Sequence, residues 1–302
     1  MNERSGQGSA VTKARSATLS QPETRPHPKT RRIRFRFNEE ATKKYFVAGD
    51  MVYSHFVAGL SAGFPPGEEG FIRSVRRFAD LITDPDLKKR VAGFIGQESM
   101  HGQEHRHLNE KLVEMGYAIQ WWDSKRLKAG QIRLEERLPA KVHLAMTAAA
   151  EHYTAVLAER VLSSEEIQSI PAEPEMWHLL NWHALEELEH KSVAFDVYRA
   201  VGGTERTRIA VMAVMYALTV PVTLVSLGVS IGRDPIARRQ PRRLAREAYK
   251  LFTGPVFKGL PSELAKYMRP GFHPDDIDTT ALLERWQDEL FGAGGVLVDH
   301  LK

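Results

Sequence analysis

The pairing of glutamate with histidine at a spacing of three sets the tightest limit on how this chain folds. With 26 glutamates and 12 histidines in 302 residues, about one Glu-x-x-His match would arise by chance. There are four: Glu98/His101, Glu104/His107, Glu175/His178 and Glu187/His190. Residues three apart share a helix face, and a carboxylate beside an imidazole is a ligand set for a metal ion. Helical periodicity sorts the four. Over 84–115 the apolar stripe Val91, Phe94, Ile95, Leu108, Leu112, Met115 runs through Glu98, His101 and His105. Over 175–200 the stripe Trp177, Leu180, Ala184, Ala194, Val197 runs through Glu187 and His190, with His183 one turn earlier. Glu104/His107 and Glu175/His178 fall on other faces and read as hydrated surface.

Charged side chains turned into a core are costly unless something compensates them. Metal ions would do so, and two further helices should then each supply an inward carboxylate. Glu68 precedes Phe71, Ile72 and Val75 on one such face, which its neighbour Glu69 fits less well. Glu151 interrupts the stripe Leu144, Ala148, Ala155, Ala158, Leu162. The alanines leave room for ions or substrate. The order Glu68, Glu98-x-x-His101, Glu151, Glu187-x-x-His190 is the ligand order of dinuclear carboxylate proteins built in a ferritin-like bundle.

Apolar residues recur at three and four almost throughout, so the fold class is all-α. The spacing predicts helices over 39–60, 67–82, 84–115, 139–162 and 175–200. Pro65-Pro66-Gly67 breaks the first from the second, Gly116 caps the third, and Gly202-Gly203 stops the last. The stretches 117–137 and 163–174 read as irregular, which leaves two helical hairpins joined by a crossover. Ile33, Phe35 and Phe37 alternate, as in a short strand or an extended arm. The expected organisation is a disordered basic tail over 1–30, a ferritin-like metal-binding four-helix bundle over 31–205 and a helical C-terminal extension over 206–302.

There is no cysteine, which excludes disulfides, thiolate metal sites and a cysteine nucleophile. Residues 1–37 hold nine Lys/Arg against two Glu, so the net charge of +4 belongs to the tail and the body is near neutral. With no RNA-binding or zinc-finger motif, no nucleic-acid partner is expected. The tail is too poor in apolar residues to bury a core and has no apolar run of a secretory signal, so a cytoplasmic location is expected. From 209 to 231 no side chain is charged, a length that could span a bilayer, and Arg233, Arg238, Arg239, Arg242, Arg243 and Arg246 come next. A single span would place these arginines outside, against the positive-inside rule. Two readings stay open for 209–246: a hairpin broken at Pro221 that makes the protein peripheral or monotopic at the inner membrane face, and a bent helix buried against the bundle over an apolar tunnel. A homodimer is open as well.

Several segments together resemble the bacterial family of predicted metal-dependent hydrolases. They are Phe64-Pro-Pro-Gly-Glu68 with Phe71-Ile-Arg-Ser-Val75, Phe94-Ile-Gly-Gln-Glu98-Ser-Met-His101, His183-x-x-x-Glu187-x-x-His190 and Arg269-Pro-Gly-Phe-His-Pro274. The resemblance covers about residues 30 to 290 and favours Glu68 over Glu69. The third histidine, His183, is locally similar to the di-iron arylamine N-oxygenases. Ligand spacing and resemblance together imply a dinuclear metal centre held by Glu68, Glu98, His101, Glu151, Glu187 and His190. Glu98 and Glu187 would bridge, Glu68 and Glu151 would be terminal, and His101 and His190 would bind one ion each. His183 and His105 would be the catalytic groups, His183 also as a seventh ligand and His105 supporting a ligand or facing substrate. Iron suits the ligands best, with manganese and zinc as alternatives. Two enzyme chemistries fit: O2-dependent oxidation of a small apolar or aromatic substrate, and two-metal hydrolysis of an ester or phosphate bond. Iron binding without catalysis ranks third.

Overall fold

In a computed structural model the described residues are 27–37 and 43–302. The tail expected over 1–30 lies outside them up to residue 26, as do 38–42, where the spacing places the start of the first helix. All the regular structure among the described residues is helical, as the apolar spacing requires.

Helix α1 (Met51–Arg76) starts where Ala48 and Gly49, both at positive φ, turn the chain, and Asp50 caps it by accepting from the Tyr53 N–H. The break expected at Pro65-Pro66 does not occur, and α1 runs through both prolines. Proline cannot donate to the carbonyl four residues back. The carbonyl that Pro65 leaves free is that of Ser61, and the Asn109 side-chain amide donates to it at 3.1 Å. That gap in the ladder, one of the two that the proline pair opens, is closed from a neighbouring helix.

That neighbour is α2 (Pro85–Glu114), which Asp84 caps at its start and Gly116, at φ +88°, follows at its end. The stretch expected to be irregular contains α3 (Lys125–Arg137), with Ser124 as its cap. Helix α4 (Ala140–Ser163) follows Pro139, and α5 (Glu165–Gln168) is one turn in the next loop. The helix expected over 175–200 is two, α6 (Pro174–His190) and α7 (Val193–Ala200). They separate at Lys191, whose ammonium donates to the Ile277 carbonyl and the Thr279 hydroxyl of the C-terminal segment. Helices α1 and α2 pack together, α4 packs on α6, and α1 on α4 and α2 on α6 close a four-helix bundle.

The bundle interior has two apolar clusters. One holds Leu108, Leu112, Leu162, Leu179 and Trp182, and the other holds Phe94, Leu144, Ala148, Val193 and Tyr198. On α2 and α4 the acids and histidines lie between a residue of one cluster and a residue of the other; those of α6 follow Leu179 and Trp182 of the first cluster and precede Val193 of the second, at the start of α7. The candidate site is therefore a polar layer at mid-length.

The remaining chain wraps this bundle. Helix α8 (Glu205–Gly232) is continuous through Pro221, so no hairpin forms there. It packs against the bundle along α4 and α1, as the second reading expects, but on one side only, with its other face exposed and no residue in the wall of the apolar cavity described below. Helices α9 (Pro241–Thr253), α10 (Leu260–Ala265) and α11 (Thr280–Phe291) complete it. The Arg269–Pro274 motif is structural. Gly271 donates its N–H to Glu205, and Arg208, buried between them, donates to the Tyr267 and Arg269 carbonyls. Residues 27–37 run extended over the bundle, with a single bridge from Ile33 to Leu301 in place of a strand. Gly93 and Gly96 of α2 admit them: a Cβ at either would overlap the Pro28 carbonyl or the Thr30 side chain.

Candidate metal centre

Four helices each bring one carboxylate to the layer. Glu68 of α1, Glu98 of α2, Glu151 of α4 and Glu187 of α6 are all at least 96% buried. Glu69 is not among them; it is half-exposed and pairs with Arg106, Arg73 and Lys128. Two groups of ligand atoms form, one from Glu98, Glu187 and His190 and one from Glu68, His101 and His183. The His190 Nε2 lies 3.1 Å from Glu98, 3.3 Å from Glu151 and 3.5 Å from Glu187. Glu187 reaches the other group as well, 2.8 Å from His183 Nε2 and 3.7 Å from His101 Nδ1. Glu68 is 3.7 Å from His183 Nε2.

Hydrogen bonds on the outer side of each ring leave the inner nitrogen with a lone pair. Gln97 uses its amide N–H to reach Glu189 at 2.6 Å, so its oxygen accepts from His190 Nδ1 at 3.0 Å. His101 Nε2 lies 3.1 Å from the buried Glu186 carboxylate and donates to it. Asn109 donates to the Ser61 carbonyl, which turns its oxygen to accept the Ser61 hydroxyl at 2.8 Å. Ser61 then accepts from His105 Nδ1 at 2.9 Å, and His105 Nε2 accepts from His183 Nδ1 at 2.7 Å. His183 Nε2 is left facing the Glu187 carboxylate lone pair to lone pair. Such an arrangement calls for a shared proton or for a cation that both atoms bind.

The orphaned atoms say the same. Both oxygens of Glu68, Glu98 and Glu151, one of Glu187, and the inner nitrogens His101 Nδ1 and His190 Nε2 are buried without a hydrogen-bond partner. Native interiors leave few such groups. Burial, reinforced by Glu98, Glu187 and Glu151, holds Glu68 well above the usual carboxylate range, and burial with Glu98 pushes Glu151 up to about 8. Burial would lower His190, but Glu187, Glu151 and Glu98 outweigh it and hold it well above the usual histidine range. One proton there answers one charge of four. The donor set, all oxygen and imidazole, fits divalent iron, manganese or zinc.

A cavity of about 120 Å³ opens onto this layer. His183 and Glu187 form its polar end, and Phe56, Leu60, Phe64, Leu157, Leu180 and Ala184 are among its apolar walls. His105 is not in the wall; it is fully buried behind His183.

Two readings of the pairs set aside as surface need correction. Glu104 is fully buried and accepts the Phe35 N–H at 3.1 Å. Glu175 accepts the Arg36 N–H and meets His300 and His178. Both lie beneath the arm. The spacing of α2 and α6 alone gives no sign of that cover. Sequence reasoning also missed Glu186, Gln97 and Arg31. Arg31 donates to Glu186 at 2.8 Å and to Glu189 at 2.9 and 2.6 Å. The chain His101–Glu186–Arg31–Glu189–Gln97–His190 thus ties two inner histidines to one arginine of the arm.

An all-α chain with a buried carboxylate–histidine layer of this kind is of the metal-binding class. The family described as predicted metal-dependent hydrolase matches residues 29–278, and the chain belongs to that family. No curated protein and no solved structure is significantly similar to it.

Proposed function

We propose that this protein is a dinuclear metal enzyme of ferritin-like architecture that oxidises a small apolar or aromatic substrate with O2. The observation that carries the reading is the convergence of orphaned carboxylate oxygens and imidazole nitrogens between two apolar clusters. Glu98, Glu151, Glu187 and His190 would hold one ion, and Glu68, His101, His183 and Glu187 the other. Four carboxylates match the charge of two divalent ions. A bound pair of iron ions would supply electrons to O2, whereas redox-inert ions would polarise a carbonyl and activate water.

The protein's own groups support the first chemistry. The cavity walls exclude water and hold an apolar molecule by contact alone. Hydrolysis of an ester or phosphate needs polar groups beside the scissile bond, and the walls offer few apart from His183 and Glu187. Ser61 and Asn109 fix the tautomer of His105 and, through it, that of His183. They position these imidazoles so that His183 would present Nε2 to the ion while its Nδ1–H is held by His105.

The family description favours the second reading, metal-dependent hydrolysis, and one experiment separates the two. The purified protein is assayed for metal content and for O2 uptake after reduction, beside Glu98→Ala and Glu187→Ala. Two irons per chain, lost in both variants, with O2 consumed, support oxidation. Two zinc or manganese ions inert to O2, with ester or phosphate cleavage, would establish the hydrolase. A folded protein that takes up no metal would refute both.

A further inference from the structure

Helix α8 presents an apolar face to solvent along most of its length. Val214, Leu218, Val222 and Val225 are 53–65% exposed, and the exposed run from 210 to 229 covers about 29 Å at 1.5 Å per residue. No charged side chain lies between 209 and 231. Only 6% of its most apolar window is buried. Isolated exposed apolar residues need no account, but a continuous stripe of this extent marks a docking surface.

The chemistry of its border identifies what docks. Between 206 and 258 the only acids are Asp234 and Glu247. Both are buried and paired, Asp234 with Lys44 and Glu247 with Arg243. The exposed charges of this segment are all positive. Arg233, Arg238, Arg239, Arg242, Arg246 and Lys250 stand at the end of α8 and on α9, and none forms an ion pair among the described residues. An apolar face bordered by unpaired cations complements a bilayer whose headgroups are anionic. A second copy of the same surface would bring like charges together.

We propose that α8 and α9 dock the protein sideways on an anionic lipid bilayer, with α8 lying in the interface plane. A spanning orientation is incompatible with the packing of α8 along α4 and α1. The surface stands apart from the metal layer, so the proposal is independent of which metal chemistry operates. It does meet the cavity: Val256, three residues beyond α9, is part of the cavity wall, and its neighbour Phe257 packs edge-on against Phe56. Docking here would bring the cavity close to a source of apolar substrate.

The test is co-sedimentation of the full-length protein with vesicles of phosphatidylcholine alone and of phosphatidylcholine with phosphatidylglycerol. Binding is expected to the anionic vesicles only and to weaken with salt. The triple variant Arg238→Gln/Arg239→Gln/Arg242→Gln should bind on the order of a hundredfold more weakly. Leu218→Glu/Val222→Glu should lose binding while melting like the parent, since both sites are exposed. Absence of vesicle binding would overturn the proposal. So would a concentration-dependent dimer that Leu218→Glu/Val222→Glu dissociates, which would identify a second copy as the occupant. Equal binding to neutral vesicles would overturn the role of the arginines.

Discussion

Replacing Arg31 with alanine asks whether the arm holds the metal layer in shape or only covers it. Arg31 makes three charge-assisted hydrogen bonds of 2.6–2.9 Å to Glu186 and Glu189 and lies over the Phe291 ring. Breaking a buried pair costs about 3–5 kcal/mol. The low end applies here, because burial already pushes Glu186 up to about 8 and it escapes by taking a proton. With an unfolding entropy near 2.1 cal/mol/K per residue, about 3 kcal/mol lowers the melting temperature of this chain by about 5 °C. The second effect is on the ligands. His101 and His190 are oriented through Glu186 and through Gln97 on Glu189, and loss of such outer partners weakens metal binding about 10–100-fold. Melting followed by circular dichroism, metal-free and loaded, measures the first effect, and competition with a chelator measures the second. Arg31→Lys keeps the charge without the fork and should fall between. A variant that melts about 5 °C lower yet binds metal with parental affinity would refute the link to the histidines. Unchanged melting would refute the buried pair itself.

Three further outcomes are expected at single sites. Gly93→Ala drives a Cβ into the Pro28 carbonyl; a loss of about 1–3 kcal/mol is expected, with faster proteolysis inside 27–37, and parental melting would contradict the close approach. Burial against Tyr267 and Phe272 lowers His152 to about 4. The unfolded chain therefore binds the extra proton between about pH 6.5 and 4, and stability falls by about 3 kcal/mol as the pH drops through that window; His152→Leu should flatten this slope in acid melts. For Asp234, burial acts upward, but Lys44, the Ala237 and Ile236 N–H groups and His55 hold the carboxyl well below its usual range. Its contribution is present above about pH 4 and lost as pH falls, so Asp234→Asn should melt lower at neutral pH and approach the parent in acid.

How much of this was legible in the sequence depends on how local the cause is. Glu98, His101 and His105 could be placed inward because the apolar stripe of α2 passes through them, and that stripe needs no knowledge of the partner helix. The same holds for Glu151 among its alanines. Pro65-Pro66 misled for the opposite reason. Each proline of the pair leaves one carbonyl free, that of Ser61 and that of Ala62, and Asn109, 48 residues from Ser61, serves the first. Glu104 and Glu175 misled too, since a face that looks solvent-directed on α2 or α6 is covered by residues 33–36 of the arm and 300–302 of the chain's end. The apolar spacing of 175–200 also gives no sign of its division at Lys191, whose side chain bonds to partners at 277 and 279.

The arm and the metal layer are two parts of one charge balance. The outer acids Glu186 and Glu189 are answered within the chain, by Arg31. The inner four are not: within the layer His190 is drawn toward its positive form, and Arg106 acts on Glu68 from a partly exposed position. Protons could quiet the inner carboxylates, as the upward displacement of Glu68 and Glu151 indicates. Each proton serves one atom pair at a time, whereas the lone pairs on His101 and His183 and the carboxylate oxygens all point to the same interior. Divalent ions answer both demands at once, charge and lone pairs, and an arrangement that requires them couples their binding to the stability of the fold. This explains why an expensive polar layer lies between two apolar clusters, and why the imidazole orientations are set by a network reaching as far as an arm outside the bundle.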